Sequence, residues 1–233
     1  MLSVRNLVAR YGDFQALFGV DFDAAKGSIV ALIGANGAGK STFLRSIAGL
    51  MPMKTGEIRF NSDEIGGYSS DEVVRRGVSM VPEGRRLFRS LTVEENLRVG
   101  AFAGRKGRWT LETVYALFPA LRERRSSPST ALSGGQQQMV AIGRALMSNP
   151  QLLLCDELSL GLSPAVVKDI YAVLPRIRDE GVSIVVVEQD IDMALKAADE
   201  VYCFMHGRVT LRGAPAELRK DAISAAYFGL EDR

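Results

Sequence analysis

The sequence contains one octapeptide of high specificity, Gly34-Ala35-Asn36-Gly37-Ala38-Gly39-Lys40-Ser41. It fits the pattern G-x-x-x-x-G-K-[ST], in which glycines let backbone N–H groups converge on phosphate oxygens. The apolar run Ile29–Ile33 before it predicts a buried strand, and the residues from Ser41 to about Gly49 have helical spacing. Strand, glycine-rich loop and helix are the context that a phosphate-binding loop requires, because the positive end of the helix also attracts anions.

The motif also indicates which ligand the loop binds. Residues 34–42, which end in Thr42, are predicted to hold the phosphates of ATP. In this pattern Lys40 reaches the β- and γ-phosphates, and the hydroxyl of Ser41 ligates Mg²⁺. We therefore expect ATP and Mg²⁺ as the cofactors of this chain.

Length and composition limit the other possibilities. The chain has 233 residues, of which 47% are hydrophobic, enough for one sizeable domain. Its 29 basic and 27 acidic residues leave a net charge of +2, too even a balance to indicate nucleic acid as a partner. The N-terminus lacks the apolar core of a signal peptide, and no apolar run approaches the roughly 20 residues that span a bilayer. Cys155 and Cys203 lie within apolar runs and predict buried thiols in a reducing compartment.

Short apolar runs alternate with helical patterns along the chain. Runs at residues 78–81, 152–155 and 182–187 predict further buried strands, while residues 92–121, 133–147 and 190–198 have helical spacing. A hairpin is predicted around His206-Gly207. Buried strands alternating with helices indicate an α/β domain with a mainly parallel sheet. The helical stretch at about residues 92–121 would be a subdomain inserted into that sheet.

Asp156-Glu157 follows one of the predicted buried strands. An aspartate at the end of a strand can hold the Mg²⁺ shell, and Glu157 is placed to accept a proton from the attacking water or to orient it. Acidic pairs often do no more than end a strand. In combination with the phosphate loop, however, we predict Asp156 as a metal ligand and Glu157 as the catalytic base.

A third motif is Ser133-Gly134-Gly135-Gln136, at the predicted start of a helix. Ser133 is a suitable N-cap, and the glycines leave N–H groups free at a positively polarised helix end that could bind an anion. An ordinary capped helix is the alternative interpretation of this motif on its own.

The three motifs, in this order, resemble the ATP-binding-cassette (ABC) ATPases over nearly the whole chain. The resemblance implies a P-loop NTPase core with an N-terminal antiparallel β portion and a helical subdomain inserted at about residues 90–148 of a single domain, 1–233. Ser133, Gly134, Gly135 and Gln136 would form the signature motif, which contacts the γ-phosphate held by the other subunit of a head-to-tail dimer. Tyr11 would stack on adenine, unless it is a core or edge aromatic, and residues 159–162 would form the loop that crosses between subunits.

Two positions depart from the family pattern. Glutamine usually follows the strand at residues 78–81, where this chain has Glu83, and histidine usually follows the strand at 182–187, where it has Gln189. Because Mg²⁺ prefers oxygen ligands, we predict Glu83 in its shell. Gln189 would be a catalytic, neutral sensor of the γ-phosphate, since an amide donates hydrogen bonds but carries no charge. The alternative is that both side chains point to solvent.

One branch of the family matches further. Pro82-Glu83-Gly84-Arg85-Arg86, Glu188-Gln189 and the ending Ala226-Tyr227-Phe228-Gly229-Leu230 resemble the shorter ATPase subunit of branched-chain amino-acid importers, although Leu158 stands where that branch usually has proline. The resemblance implies a peripheral protein on the cytoplasmic face of the cell membrane. Its partners would be membrane-embedded permease subunits, contacted near Leu87 and Phe88, a second ATPase subunit that is more often a sister chain than a copy, and an external solute-binding protein.

Other functions remain open at this point. A lipid or lipopolysaccharide exporter ATPase has a similar ending, but its expected histidine is missing here. Soluble ATPases of DNA repair or translation carry long coiled coils or two cassettes, and this chain has neither. A module that binds nucleotide without hydrolysing it would fit Glu83 and Gln189, but not the intact Asp156-Glu157 pair.

Overall fold

The computed structural model describes residues 1–228 of the chain, without the side chains of Lys220 and Phe228. The predicted chain ending therefore lies partly outside the described residues, at Gly229 and Leu230. The strands are β1 Leu2–Tyr11, β2 Phe14–Ala24, β3 Ile29–Ile33, β4 Met53–Phe60, β5 Asp63–Glu64, β6 Val78–Val81, β7 Leu152–Asp156, β8 Ser183–Glu188, β9 Glu200–Met205 and β10 Arg208–Gly213. The helices are α1 Lys40–Ile47, α2 Ser70–Arg75, α3 Val93–Val99, α4 Leu111–Leu117, α5 Pro119–Glu123, α6 Gly134–Leu146, α7 Pro164–Asp179, α8 Ile191–Ala197 and α9 Lys220–Phe228, with 3₁₀ turns at Gly100–Ala103 and Ser129–Ala131.

The strands form two sheets. The larger has the order β10-β9-β3-β8-β7-β6, and all its neighbouring strands are parallel except for the antiparallel pair of β9 and β10. The smaller sheet is antiparallel, with the order β2-β1-β4-β5. This arrangement confirms the predicted α/β class, its mainly parallel sheet and its N-terminal antiparallel portion.

The large sheet is covered on both faces. Successive side chains of a strand point to opposite faces, and the strand β3 shows the result, because Ile29, Ala31 and Ile33 belong to one hydrophobic cluster while Val30 and Leu32 belong to another. The first cluster includes side chains of α3 to α7, and the second includes those of α1 and the small sheet. Burial on both faces explains why β3, β7 and β8 consist of fully buried residues.

Between β6 and β7 the chain forms the helices α3 to α6. Val93 of α3, Val114 of α4 and Val140 of α6 share one hydrophobic cluster with the large sheet. The helices therefore lie where the sequence predicts an inserted subdomain, but they pack on the core of the sheet rather than forming a core of their own. The limits of that subdomain stay a prediction.

The topology brings the predicted motifs to one edge. The strands β3, β6, β7 and β8 are parallel, so their carboxyl ends lie on the same side of the sheet. The glycine-rich loop follows β3, Glu83 follows β6, Asp156-Glu157 ends β7 and Gln189 follows β8. Ligands of open α/β sheets bind at this edge.

Candidate active site

The glycine-rich loop is held tightly against the neighbouring hairpin. Gly34 has a φ of 148°, and a Cβ atom at this position would lie 2.2 Å from the carbonyl oxygen of Phe204 in β9. Only glycine fits this approach. After the loop, α1 begins at Lys40, which is buried and whose ammonium group donates to the carbonyl oxygens of Gly34, at 2.6 Å, and Ala35, at 3.0 Å.

Burial and nearby carboxylates act on Lys40 in opposite directions. Burial lowers the pKa of Lys40, while the negative charges of Glu157 and Asp156 act in the opposite direction. The carboxylates of Glu157 and Asp156 therefore offset part of the effect of burial on the Lys40 ammonium group. A phosphate placed in the loop would meet this cation at its centre.

A cleft of about 490 Å³ opens beside the loop, a volume typical of small-molecule sites. Its lining consists of Tyr11, Phe14, Gln15, Ala16, Phe18, Asn36, Gly37, Ala38, Gly39, Lys40, Ser41, Thr42, Glu157, His206 and Gly207. The hydroxyl groups of Tyr11 and Thr42 are 3.3 Å apart, and Tyr11 is 45% exposed. Tyr11 therefore presents an aromatic surface next to the phosphate loop, where the sequence predicts the base of a nucleotide.

Asp156 and Ser41 meet at the end of β7. The Ser41 hydroxyl donates to Oδ1 of Asp156 at 2.8 Å. Asp156 is 1% exposed, and its Oδ2 is the one buried side-chain oxygen or nitrogen of the described residues without a hydrogen-bond partner. Burial raises the pKa of Asp156, the Ser41 hydrogen bond and Arg45 oppose this effect, and the charges of Glu157 and Glu83 add to it.

This donor set fits Mg²⁺. The ion takes oxygen ligands, and in nucleotide sites it is bound through one or two carboxylates together with phosphates and water. Among residues 1–228 there is no group of three or more His, Cys, Asp and Glu that could hold a metal without such help. An unpartnered oxygen of Asp156 beside the Ser41 hydroxyl is what a shared protein–phosphate metal site requires.

Glu157 lines the cleft in an unusual backbone conformation. Its φ is 51°, in the left-handed region that residues other than glycine rarely adopt. Its backbone N–H donates to the carbonyl oxygen of Val187 in β8 at 3.2 Å, which holds the residue at the end of the sheet. Such strained positions are common in functional sites.

The two departures from the family pattern lie in different surroundings. Glu83 is half-buried and close enough to Asp156 for its charge to act on the pKa of that carboxyl group. Gln189 is exposed and lines a second hollow together with Asp190, Ile191 and residues of α9, not the cleft beside the phosphate loop. The predicted roles of both residues stay predictions, and the position of Glu83 agrees better with its role than that of Gln189.

The predicted signature motif, residues 133–136, lies outside this cleft. Ser133 caps α6, because its hydroxyl accepts from the N–H of Gln136 at 3.3 Å while its own N–H donates to the Gln136 side chain at 3.1 Å. Gly135 is buried, and a Cβ atom there would lie 2.4 Å from Cγ1 of Val166, so this glycine is required for packing as well. Ser133 is exposed, and none of residues 133–136 lines the cleft.

The cleft also has lining residues that sequence patterns did not predict, namely Phe14, Gln15, Ala16, Phe18, His206 and Gly207. His206 is predicted as a surface residue of a hairpin turn, and it is exposed in that turn, but the turn also forms part of the cleft. The reason is that β9 pairs with β3, so that the N–H of Gly207 donates to the carbonyl of Ala38 at 2.9 Å. Phe14, 70% exposed, stands near Tyr11 in the lining, and its only sequence signal is its distance of three residues from that tyrosine.

The fold and the site together define a class of protein. They are those of a P-loop nucleotide-binding protein. Such a protein has a mainly parallel sheet, a phosphate site formed by a strand, a loop and a helix, and an aspartate that is hydrogen-bonded to the serine of that loop. The sequence pattern of the ABC transporter family matches residues 17–159. The chain belongs to this family, and it is accordingly an ATP-binding and ATP-hydrolysing protein.

Individual relatives agree. The chain is 44% identical over 232 residues to the high-affinity branched-chain amino acid transport ATP-binding protein BraG of Pseudomonas aeruginosa, covering 98% of this chain and 100% of that protein. It is 29% identical over 239 residues to the lipopolysaccharide export system ATP-binding protein LptB of Escherichia coli K12, covering 100% of this chain and 98% of that protein. A dimeric post-hydrolysis structure of the ATP-binding cassette MJ0796 with ADP and Pi matches with a TM-score of 0.82 and 25% identity, covering 92% of this chain and 99% of that chain. The predicted resemblance to the branched-chain importer ATPases is confirmed, and the exporter protein is the more distant of the two relatives.

Proposed function

We propose that this chain hydrolyses ATP to drive the import of branched-chain amino acids. The observation that carries the choice of substrate is the similarity to the Pseudomonas aeruginosa transport protein over the full length of both chains. No helix of residues 1–228 is long and apolar enough to cross a membrane. In our proposal the chain binds to the cytoplasmic side of permease subunits, in a system that also has an external solute-binding protein.

The proposed chemistry uses the residues gathered at the sheet edge. Residues 34–42 hold the phosphates, and Tyr11 stacks on the adenine. Ser41, Asp156 and Glu83 hold Mg²⁺, which when bound would offset charge on the β- and γ-phosphates. Glu157 accepts the proton of the attacking water, for which its position in the cleft is suitable. Gln189 contacts the γ-phosphate in the closed state.

A second subunit completes the site. Residues 133–136 present a capped helix end with an exposed serine, but they lie outside the cleft of their own chain. A head-to-tail dimer would place the signature motif of one chain on the γ-phosphate held by the other, and the related cassette MJ0796 forms a dimer with ADP and Pi. A sister ATPase chain is the proposed partner, with a homodimer as the simpler alternative.

An apolar groove offers a place for the permease. Phe88, Val99 and Phe102 are 49%, 37% and 59% exposed, and all three line one hollow together with Met80 and Arg144. The predicted contact at Phe88 belongs to this hollow, whereas Leu87 packs against the hydrophobic core. We assign the hollow to a cytoplasmic helix of the permease.

The groove is connected to both halves of the nucleotide site. Arg144 of α6 donates to the carbonyl oxygens of Arg86, at 2.8 Å, and Arg85, at 3.0 Å, and its guanidinium lies 5.6 Å from the centre of the Phe88 ring. The same segment begins with Glu83 near Asp156, and α6 begins with the signature motif. A displacement of α6 on nucleotide binding would therefore reach the groove.

Uptake measurements test the proposed function. In a strain that lacks this chain but retains its permeases, the wild-type chain is expected to restore uptake of radiolabelled leucine. Phe88→Glu and Phe102→Glu are expected to reduce that uptake to near background while leaving the ATPase activity of the purified protein intact, because a carboxylate in an apolar contact is strongly unfavourable.

Leu50→Glu is the matched control, since Leu50 is 57% exposed but lies outside the groove. Failure of the wild-type chain to restore leucine, isoleucine or valine uptake would exclude the proposed substrates. Normal uptake with both groove variants would exclude the groove as the permease contact.

The two departures can be tested by varying Mg²⁺ in steady-state ATPase assays. Glu83→Ala is expected to raise the Mg²⁺ concentration for half-maximal rate several-fold, because it removes a carboxylate from the ion's surroundings. Gln189→Ala is expected to slow turnover and to spare ATP affinity. The exposed Glu217 provides the control variant Glu217→Ala. If neither substitution changes the rate or the Mg²⁺ dependence, neither residue belongs to the site.

A further inference from the structure

Glu188 is a buried carboxylate without an assigned role. It is the last residue of β8 and is 1% exposed. The hydroxyl of Ser159 donates to its Oε2 at 2.7 Å, and the hydroxyl of Tyr171 in α7 donates to its Oε1. Among the side chains that the structure describes, no lysine, arginine or histidine nitrogen lies within 4.0 Å of this carboxylate, so these two hydroxyl groups are its side-chain partners.

The surroundings make these hydrogen bonds important. Burial raises the pKa of Glu188, whereas the hydrogen bonds from Tyr171 and Ser159 lower it again. The charge of Glu188 also acts on Lys40 and on the thiol of Cys155. The backbone N–H groups of Gln189 and Ser159 also lower the pKa of Glu188. A buried carboxylate is strongly unfavourable without hydrogen-bond donors, so the loss of either hydroxyl would remove part of the stabilisation of its charged form.

Glu188 lies beside the segment that carries the catalytic base. The backbone N–H of Glu157 donates to the carbonyl of Val187, the residue before Glu188, and the side chain of Ser159 binds Glu188 itself. Two contacts thus attach residues 157 and 159 to the end of β8. Between them, Leu158 is fully buried in the core.

The loop that follows Ser159 is exposed at the surface of the protein. Leu160 is 48% exposed and Gly161 is exposed, while Leu162 lies close to Gly134 of the signature motif. This is the loop that the head-to-tail dimer would place at the contact between subunits. Ser159 therefore lies between the catalytic base on one side and the exposed loop on the other.

We propose that Glu188 and Tyr171 are positioning residues that fix Ser159, and through it hold Glu157 in its strained conformation facing the cleft. The proposal rests on the proposed role of Glu157 as the base. Neither Glu188 nor Tyr171 lines the cleft. They would instead fix the geometry of Glu157, which does line the cleft, and the position of residues 160–162 at the second subunit.

Removal of single hydroxyl groups tests this proposal. Tyr171→Phe and Ser159→Ala are each expected to lower the kcat of ATP hydrolysis about tenfold, which corresponds to a hydrogen bond to a charged group of about 1.4 kcal/mol. Binding of a fluorescent ATP analogue should remain within about twofold of wild type, because the phosphate loop is unchanged. The kcat of the double variant should fall by less than the product of the two single reductions, since both hydroxyls act through one carboxylate.

Two controls separate positioning from mere stability. Ser159→Thr keeps the hydroxyl and should keep the rate. Tyr202→Phe removes another buried hydroxyl, which binds the backbone of Asp23 far from the loop, and should lower the melting temperature without lowering kcat.

The outcomes distinguish this proposal from the proposed function. If Tyr171→Phe and Ser159→Ala lower the melting temperature as Tyr202→Phe does but leave kcat unchanged, Glu188 is only a structural residue and the positioning role is wrong. If Glu157→Gln hydrolyses ATP at the wild-type rate, the role of Glu157 fails, whatever the effect of the hydroxyl variants.

Discussion

Lys40→Ala is expected to reduce ATP hydrolysis by about a hundredfold or more, close to background. Lys40 is the cation at the centre of the phosphate loop, and its ammonium group is held by the carbonyl oxygens of Gly34 and Ala35. Alanine would leave the backbone N–H groups to bind the phosphates but would remove the charge that we propose faces the β- and γ-phosphates. Release of phosphate from ATP by the purified variant measures the effect.

The exposed Lys26 provides a matched control for this prediction, because Lys26→Ala removes the same charge from a turn outside the cleft. Its activity should equal that of the wild type. Near-normal turnover by Lys40→Ala would contradict the assignment of residues 34–42 as the phosphate site, whatever the result for the control.

Glu157→Gln is expected to bind ATP normally and to slow its hydrolysis by about 10² to 10⁴-fold, as for the loss of a general base. Since hydrolysis would no longer open the closed state, dimers with ATP bound should accumulate. Size-exclusion chromatography with light scattering in the presence of ATP, with the sister chain supplied if the pair is a heterodimer, measures this accumulation.

Ser133→Arg in the same background should abolish the dimer without preventing ATP binding by the single chain. The exposed Ser133 begins the signature helix, and a bulky cation there would block its approach to a second subunit. Glu123→Gln, on an exposed residue of α5, is the control for the loss of a carboxylate. A Glu157→Gln protein that stays monomeric with ATP and its partner would contradict the head-to-tail arrangement.

The parts of the fold that could be predicted are those with a strong local pattern. The strands β3, β6, β7 and β8 read as short apolar runs because the sheet is covered on both faces. The first two strands gave no such pattern. Their pairing has irregular register between Val4 and Leu7 and again near Ala9, and bulges of this kind interrupt the alternation of buried and exposed residues. Only the resemblance to the family predicted this antiparallel portion.

The candidate site also contains residues that the sequence predicts and residues that it does not. The glycine-rich loop and the pair Asp156-Glu157 are each continuous in sequence, so the motifs alone allow their roles to be predicted. The position of His206 at the cleft depends on the pairing of β9 with β3, and the environment of Glu188 depends on hydroxyls of α7 and of the loop after β7. A glutamate at the end of an apolar strand reads as a solvent-facing residue until its neighbours in space are known.

The left-handed backbone of Glu157 has a consequence for the design of this enzyme. At this φ a glycine would be favoured over glutamate by about 1 to 2 kcal/mol. The chain therefore has lower conformational stability at the position of the cleft where we propose the catalytic carboxylate, a trade-off between stability and activity. The contacts of residues 157 and 159 with the end of β8 make this conflict tolerable, so the sheet maintains a conformation that the local sequence would not choose.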